Sequence, residues 1–314
     1  MLYINLYKMS NYIVNISEIL GKTGWPQTQL AKQLGVTFAT VNRWLNRHTR
    51  PHPGQLQRIE RLYKSTVGIA PLSSKEIVEM IQHVGNKKKQ FPDIRQLFKN
   101  KDIMGKLLLE LTYHSDAIGG NRLSKKETHA VIFNKATIKD KSLIEHLEAV
   151  NHAAIFKQIF SGKIKGKIGE TLIKKLHAGL MHGISDDRSE YAKSSRTLQG
   201  VDLALPRPES IPEEIMQFCR KINRFESHPV IHITKMHADF EAIQPFSDGN
   251  GRIGRLLMNI QLIENGFAPC MISVNEKDKY YEYLGYAQKK SESHLICFIA
   301  EAILKGYGII EKFR

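Results

Sequence analysis

The densest chemistry in the chain lies between Gln244 and Arg255, which read Gln-Pro-Phe-Ser-Asp-Gly-Asn-Gly-Arg-Ile-Gly-Arg. Gly249 and Gly251 let backbone N–H groups close around an anion. Leu256 to Ile260 continue as an apolar helical run, so the loop sits at a helix start, where the dipole also favours a phosphate. Arg252 and Arg255 are three apart; on a helix they share a face and can clamp two phosphates. Asp248 beside them is a hard oxygen ligand suited to a Mg²⁺ that bridges those phosphates. A base is missing. Gln244 stands where this chemistry wants a histidine, and a carboxamide cannot take a proton near neutral pH.

The elements that must position this loop are helical. From about residue 146 to 314 the apolar spacing is that of helices, except between Asp186 and Pro208. There Leu198, Val201, Leu203 and Leu205 alternate loosely between Gly200 and two prolines, as in a β-hairpin or flap. Residues 75–145 also read as helices, with breaks expected at Gly85-Asn86-Lys87-Lys88-Lys89 and at Gly119-Gly120-Asn121. Pro71-Leu72-Ser73-Ser74 reads as a hinge, one of the serines capping a helix that begins near Lys75. Three regions follow: 1–72, a helical segment over 73–145, and a core over 146–314.

A length of 314 residues accommodates one sizeable domain and a small one, and 42% hydrophobic with 25% charged residues is ordinary for a globular protein. The formal net charge of +15 is not ordinary and points to an acidic partner such as nucleic acid or nucleotide. Residues 1–70 hold nine Lys/Arg against two Glu, nearly half of that charge. Three cysteines without close pairing or metal-ligand spacing suit a reducing cytoplasm. Met1 to Leu20 lacks the apolar core of a signal peptide, and Leu295–Leu304 is too short for a membrane span, so no membrane partner is expected.

Gln29 to Leu34, Gly35, and Thr37 ahead of Phe38 to Asn46 describe two short helices joined by a glycine turn. Thr37 is a good N-cap, and Val41, Trp44 and Leu45 give the second helix its buried stripe. The segment resembles the phage-repressor type of DNA-binding domain over roughly residues 15–65. That resemblance turns Thr37, Phe38, Thr40, Asn42 and Arg43 toward a major groove, and Arg47, Arg50, Arg58 and Arg61 add backbone attraction. A small bundle used for protein contact is the alternative.

The full loop, with Phe246, Asp248, Gly249-Asn250-Gly251 and both arginines, resembles the signature of the Fic family. His237, Phe240, Glu241 and Ile243 before it, and Leu256 and Asn259 after it, match as well. The resemblance extends over roughly residues 105–305. It implies a mostly α-helical Fic-like core with a small β-hairpin flap. Its activity is transfer of AMP from ATP, with Mg²⁺, to a Ser, Thr or Tyr hydroxyl of a target protein, the chain itself included. By the resemblance Asp248 holds the metal. Gly249, Asn250 and Gly251 face the phosphates, and the Asn250 side chain fixes the loop or an α-phosphate oxygen. Arg252 holds the β-phosphate and steadies the leaving pyrophosphate, and Arg255 grips the γ-phosphate. A flap near 192–202 pairs with an extended target segment. Tyr281 is the candidate adenine platform.

Two positions depart from the family's pattern. Gln244 occupies the place of the catalytic histidine, so ATP binding with weak or absent transfer is expected. Ser115-Asp116-Ala117-Ile118-Gly119-Gly120-Asn121 resembles the inhibitory helix, but Gly119 occupies the place of its glutamate. Arg255 is then expected to be without a competing anion. The alternative function is a transcription regulator that uses the Fic-like domain as an ATP sensor or interaction unit.

Overall fold

The computed structural model describes residues 12–68, 71–186, 189–196, 205–289 and 291–313. The chain divides into two compact units that part between Ala70 and Pro71. Among the described residues every regular element is helical.

The first unit is four helices, α1 Tyr12–Thr23, α2 Gln27–Leu34, α3 Phe38–Leu45 and α4 Pro53–Thr66. α2 stops at Gly35, whose φ of 66° is left-handed backbone that glycine adopts without penalty. Thr37 then caps α3, its Oγ1 accepting from the Thr40 N–H at 3.2 Å. Ile16, Ile19, Leu30, Leu34, Val41, Trp44 and Ile59 form the unit's own core. That packing fixes α3 while leaving Phe38 and Arg43 exposed at the surface.

The second unit builds one core from α5 Ser74–Lys89, α6 Ile94–Leu97, α7 Lys101–Ile118, α8 Lys125–Asn134, α9 Leu143–Phe160, α10 Glu170–Leu180, α11 Ile211–Ile222, α12 Pro229–Ile243, α13 Asn250–Glu264, α14 Lys277–Gln288 and α15 Ser293–Lys312. Ser73 and Glu76 form a reciprocal capping box that starts α5. Contrary to expectation, α5 does not break at Gly85 but runs on through Lys89. Tertiary packing outweighs the glycine: Val84 is fully buried, Lys87 pairs with Glu311 of α15, and the Lys88 ammonium lies 4.5 Å from the Phe267 ring. α7 does end where expected, at Gly119, followed by Gly120 at φ 106°.

α15 has the length and composition of a membrane span, yet two thirds of its apolar window is buried within the unit. It is a core helix, as its sequence suggested. Residues 192–196 are irregular, and the rest of the expected flap, 197–204, lies outside the described residues. Cys219, Cys270 and Cys297 are all unpaired.

Candidate nucleotide site

α12 runs into the loop with its last turn closed at Gln244, whose φ of 47° turns the chain sharply toward α13. The loop backbone is tied down from four directions. The Arg196 guanidinium donates from Nε to the Gln244 carbonyl at 2.8 Å and from Nη2 to the Ile243 carbonyl at 3.1 Å. The Ala192 N–H donates to the Pro245 carbonyl at 2.9 Å. Phe246 is fully buried and stacks on the His177 ring of α10, centroids 3.7 Å apart and nearly parallel. Asn250 closes the loop on itself. Its Oδ1 accepts from the Phe246 N–H at 2.8 Å, and its Nδ2 donates to the Phe246 carbonyl at 2.7 Å.

His177 adds a second tie. Its Nδ1 accepts from the Ser189 N–H at 3.1 Å, so Nε2 carries the proton and donates to the Asp248 carbonyl at 3.2 Å. Burial pushes its pKa down, which keeps the ring in that neutral form. His237, the other histidine near the loop, is also structural. It is buried, its Nε2 lies 2.7 Å from the Tyr280 hydroxyl, and burial with the Arg255 charge pushes its pKa down to about 3.

Held this way, the loop delivers Gly249 at φ 78° as the N-cap of α13. The first-turn N–H groups of the helix are left without intrahelical acceptors, which is what an anion needs. Asp248 is the exposed member, its side chain 68% accessible, with Oδ1 accepting from the Gly249 N–H at 2.6 Å.

Both arginines are nearly buried, each 5% exposed, and both are held in place. Arg252 donates from Nη1 to Glu148 Oε1 at 2.5 Å and from Nη2 to Asp248 Oδ2 at 3.3 Å. Burial lowers its pKa, but the carboxylates of Glu148, Asp116 and Asp248 outweigh burial and raise it. Glu148, on α9, is itself oriented by the Asn121 amide, 2.8 Å from its Oε2. Arg255 donates from Nε to Ser115 Oγ and from Nη2 to the Ser115 carbonyl, each at 2.9 Å. Arg255 is thus engaged by neutral acceptors. Both acceptors belong to Ser115, the first residue of the segment that resembles the inhibitory helix.

Gly119, Glu241, Gln244, Ser247, Asp248, Gly249, Asn250, Gly251, Arg252, Arg255 and Tyr281 line one cavity of about 190 Å³. The fold therefore gathers the loop, both departures and the chosen tyrosine in one place. A Cβ on Gly119 would lie 3.9 Å from Arg252 Nε. The Gln244 amide is engaged by Glu241: Nε2 donates to the Glu241 carbonyl at 3.0 Å and to Glu241 Oε2 at 2.9 Å. With both N–H bonds used, only Oε1 remains to meet a ligand, and it can only accept.

Sequence reasoning missed four residues that build this site. Glu148 and Asn121 orient Arg252. Glu241 was read only as part of the approach helix, and Arg196 pins the loop from the segment taken as a flap. Asp116 is a further acid nearby, buried with neither oxygen hydrogen-bonded, and burial raises its pKa far above the ordinary carboxyl value despite both arginines.

The Fic/DOC family profile matches residues 167–262, and a helix-turn-helix profile matches residues 16–68. A protein adenylyltransferase Fic from Nematostella vectensis is 30% identical over 194 residues, 60% of this chain and 45% of the relative. One from Culex quinquefasciatus is 29% identical over 194 residues, 60% of this chain and 39% of the relative. The chain thus spans less than half the length of these curated relatives. A Fic-domain-containing signaling protein from Bacteroides thetaiotaomicron has the same fold, with a TM-score of 0.64 at 22% identity over 74% of this chain and 97% of that one. So does Fic-1 of C. elegans, with a TM-score of 0.64 at 20% identity over 88% of this chain and 84% of that one. The loop signature and both profile matches converge: the chain carries a Fic/DOC family domain over residues 167–262 and a helix-turn-helix domain over residues 16–68.

Proposed function

We propose that residues 71–314 bind ATP with Mg²⁺ at the start of α13 and belong to the protein adenylyltransferase class. AMP transfer to a Ser, Thr or Tyr hydroxyl is weak or absent as the chain stands. The observation that carries the reading is the convergence of two buried, pre-oriented arginines and a glycine-delivered helix start on one cavity. Positioning and charge stabilisation do most of the work in phosphoryl-type transfer, and these are the parts that are present. Arg252 and Arg255 hold the β- and γ-phosphates, Asn250 fixes the loop, and Tyr281 borders the adenine. Gln244 Oε1 accepts a hydrogen bond from the attacking hydroxyl but takes no proton.

The residues present fit a magnesium ion. Among the described residues no cluster of three or more His, Cys, Asp or Glu forms a metal cage. Mg²⁺ commonly binds through one or two carboxylates plus substrate phosphates, and Asp248 supplies one exposed carboxylate there. When bound, the ion neutralises phosphate charge.

Calorimetric titration with a non-hydrolysable ATP analogue and Mg²⁺ tests the site. Binding to the unaltered chain and its loss in Arg252→Ala support it; no binding at millimolar analogue refutes it. The first unit supports a second activity that coexists with the first. Exposed Phe38 and Arg43 on α3 support DNA readout, and with it the reading of the protein as a cytoplasmic transcription regulator whose Fic-like domain senses ATP. A gel shift on the chain's own promoter, with and without ATP, separates the two: an ATP-dependent shift favours the sensor, and no shift removes DNA from the reading.

A further inference from the structure

Gly251 and Gly254 lie three apart on α13 and leave one strip of that helix without side chains. Two groups come down on the strip. A Cβ on Gly251 would lie 3.1 Å from Arg255 Nη1 and 3.8 Å from Glu241 Oε1, and a Cβ on Gly254 would lie 2.4 Å from the same Oε1. Glu241 is 2% exposed, and its two oxygens differ. Oε2 accepts from the Gln244 amide, while Oε1 is buried without a hydrogen-bond partner, in a residue that lines the cavity. A buried oxygen left so is costly, and is explained when a ligand supplies the partner.

We propose that Glu241 binds the phosphate chain of the nucleotide as a neutral acid, its Oε1–H donating to a phosphate oxygen that Arg255 holds from the other side of the glycine strip. The inference rests on the nucleotide reading of this cavity. An ionised carboxylate there would repel the phosphate; the protonated acid turns the same oxygen into a donor. Burial pushes Glu241 up to about 7, while Arg255 and the Gln244 hydrogen bond pull the other way. The other groups that bear on it are Tyr280 and Tyr281 of α14, both raised by burial, and His237 one turn away on α12, held neutral. An arriving phosphate engages Arg255 and adds negative charge beside Oε1. Both changes push the Glu241 pKa further up, so binding takes up a proton.

The test is calorimetric titration of the full chain with the non-hydrolysable ATP analogue and Mg²⁺ at pH 6.5 and 8.5, in buffers of different ionisation enthalpy. With an unliganded value of about 7, the dissociation constant should rise up to roughly 25-fold across that range, with about 0.9 proton taken up per nucleotide at pH 8. Glu241→Gln keeps a donor at that position; it should bind as tightly at pH 8.5 as the unaltered chain does at pH 6.5, with the uptake abolished. Binding of the analogue by the unaltered chain without proton uptake, or equal uptake in Glu241→Gln, overturns the proposal and leaves the nucleotide site standing. No binding at either pH removes the nucleotide site and this inference with it. If Glu241→Gln does not fold, proton uptake by the unaltered chain decides alone.

Discussion

Gln244→His should restore transfer, and the structure bounds what the exchange changes. The backbone at 244 is left-handed, a conformation in which histidine is among the better tolerated residues. Its anchors do not use the 244 side chain: Arg196 holds the carbonyl, Ala192 holds Pro245, and Asn250 holds Phe246. The imidazole therefore leaves the same Cα toward the same cavity. Two hydrogen bonds to Glu241 are lost, which costs about 1–2 kcal/mol of stability. The gain is a group that accepts the hydroxyl proton near neutral pH, worth about 10²- to 10⁴-fold in rate, or roughly 3–5 kcal/mol of barrier. Incubation with α-³²P-ATP and cell lysate, read as radiolabel on protein and as a 5′-AMP adduct by mass spectrometry, measures it. Equal and strong labelling by both chains refutes the assignment of position 244. So does an unlabelled histidine variant that still binds the ATP analogue.

Gly119→Glu should weaken ATP binding by roughly 10- to 100-fold, the worth of one charge-assisted contact, read by calorimetry. Its backbone is ordinary right-handed helix and its Cβ would lie 3.9 Å from Arg252 Nε, so the carboxylate reaches the arginines without refolding; tighter binding in the variant refutes this. Gly306→Ala places a Cβ 2.0 Å from the Pro269 carbonyl oxygen, which is backbone and cannot step aside. It should destabilise by about 1–3 kcal/mol, and a thermal midpoint within one degree of the unaltered chain counts against that packing. Arg43→Ala should lower DNA affinity; if it contacts phosphate, the slope of log K against log salt falls by about one, whereas an unchanged slope and affinity place Arg43 away from DNA.

Features whose causes are local were legible in the chain. Thr37 and Ser73 cap because a hydroxyl bonds an amide three residues on, and Gly35 and Gly119 end helices as their sequence neighbours suggest. The loop from Gln244 to Arg255 was legible because its parts are contiguous. Features made by long-range packing were not. Lys87 and Lys88 look like a solvated break until Glu311 and the Phe267 ring are placed beside them. Glu148 pairs with a residue 104 positions away; its only local signal is a carboxylate in α9, a helix that buries residues on most of its circumference. Glu241 gave a weak signal too, an acid among the apolar residues of α12, which a moderately buried helix also tolerates.

The two departures fall at positions whose side chains neither arginine nor the loop backbone leans on, although Gln244 does hold Glu241. Asn250, His177 and Arg196 shape the loop, Glu148 and Asn121 set Arg252, and Ser115 sets Arg255. None of these contacts passes through the side chain of residue 244, and residue 119 has none to offer. On the proposed reading, Gln244→His therefore changes the proton-transfer step and frees Glu241 from two hydrogen bonds, while the contacts that set Arg252 and Arg255 stay as they are. On that reading binding and transfer are separable. A sensor needs only the first, an enzyme needs both, and one residue on a rigid turn stands between them.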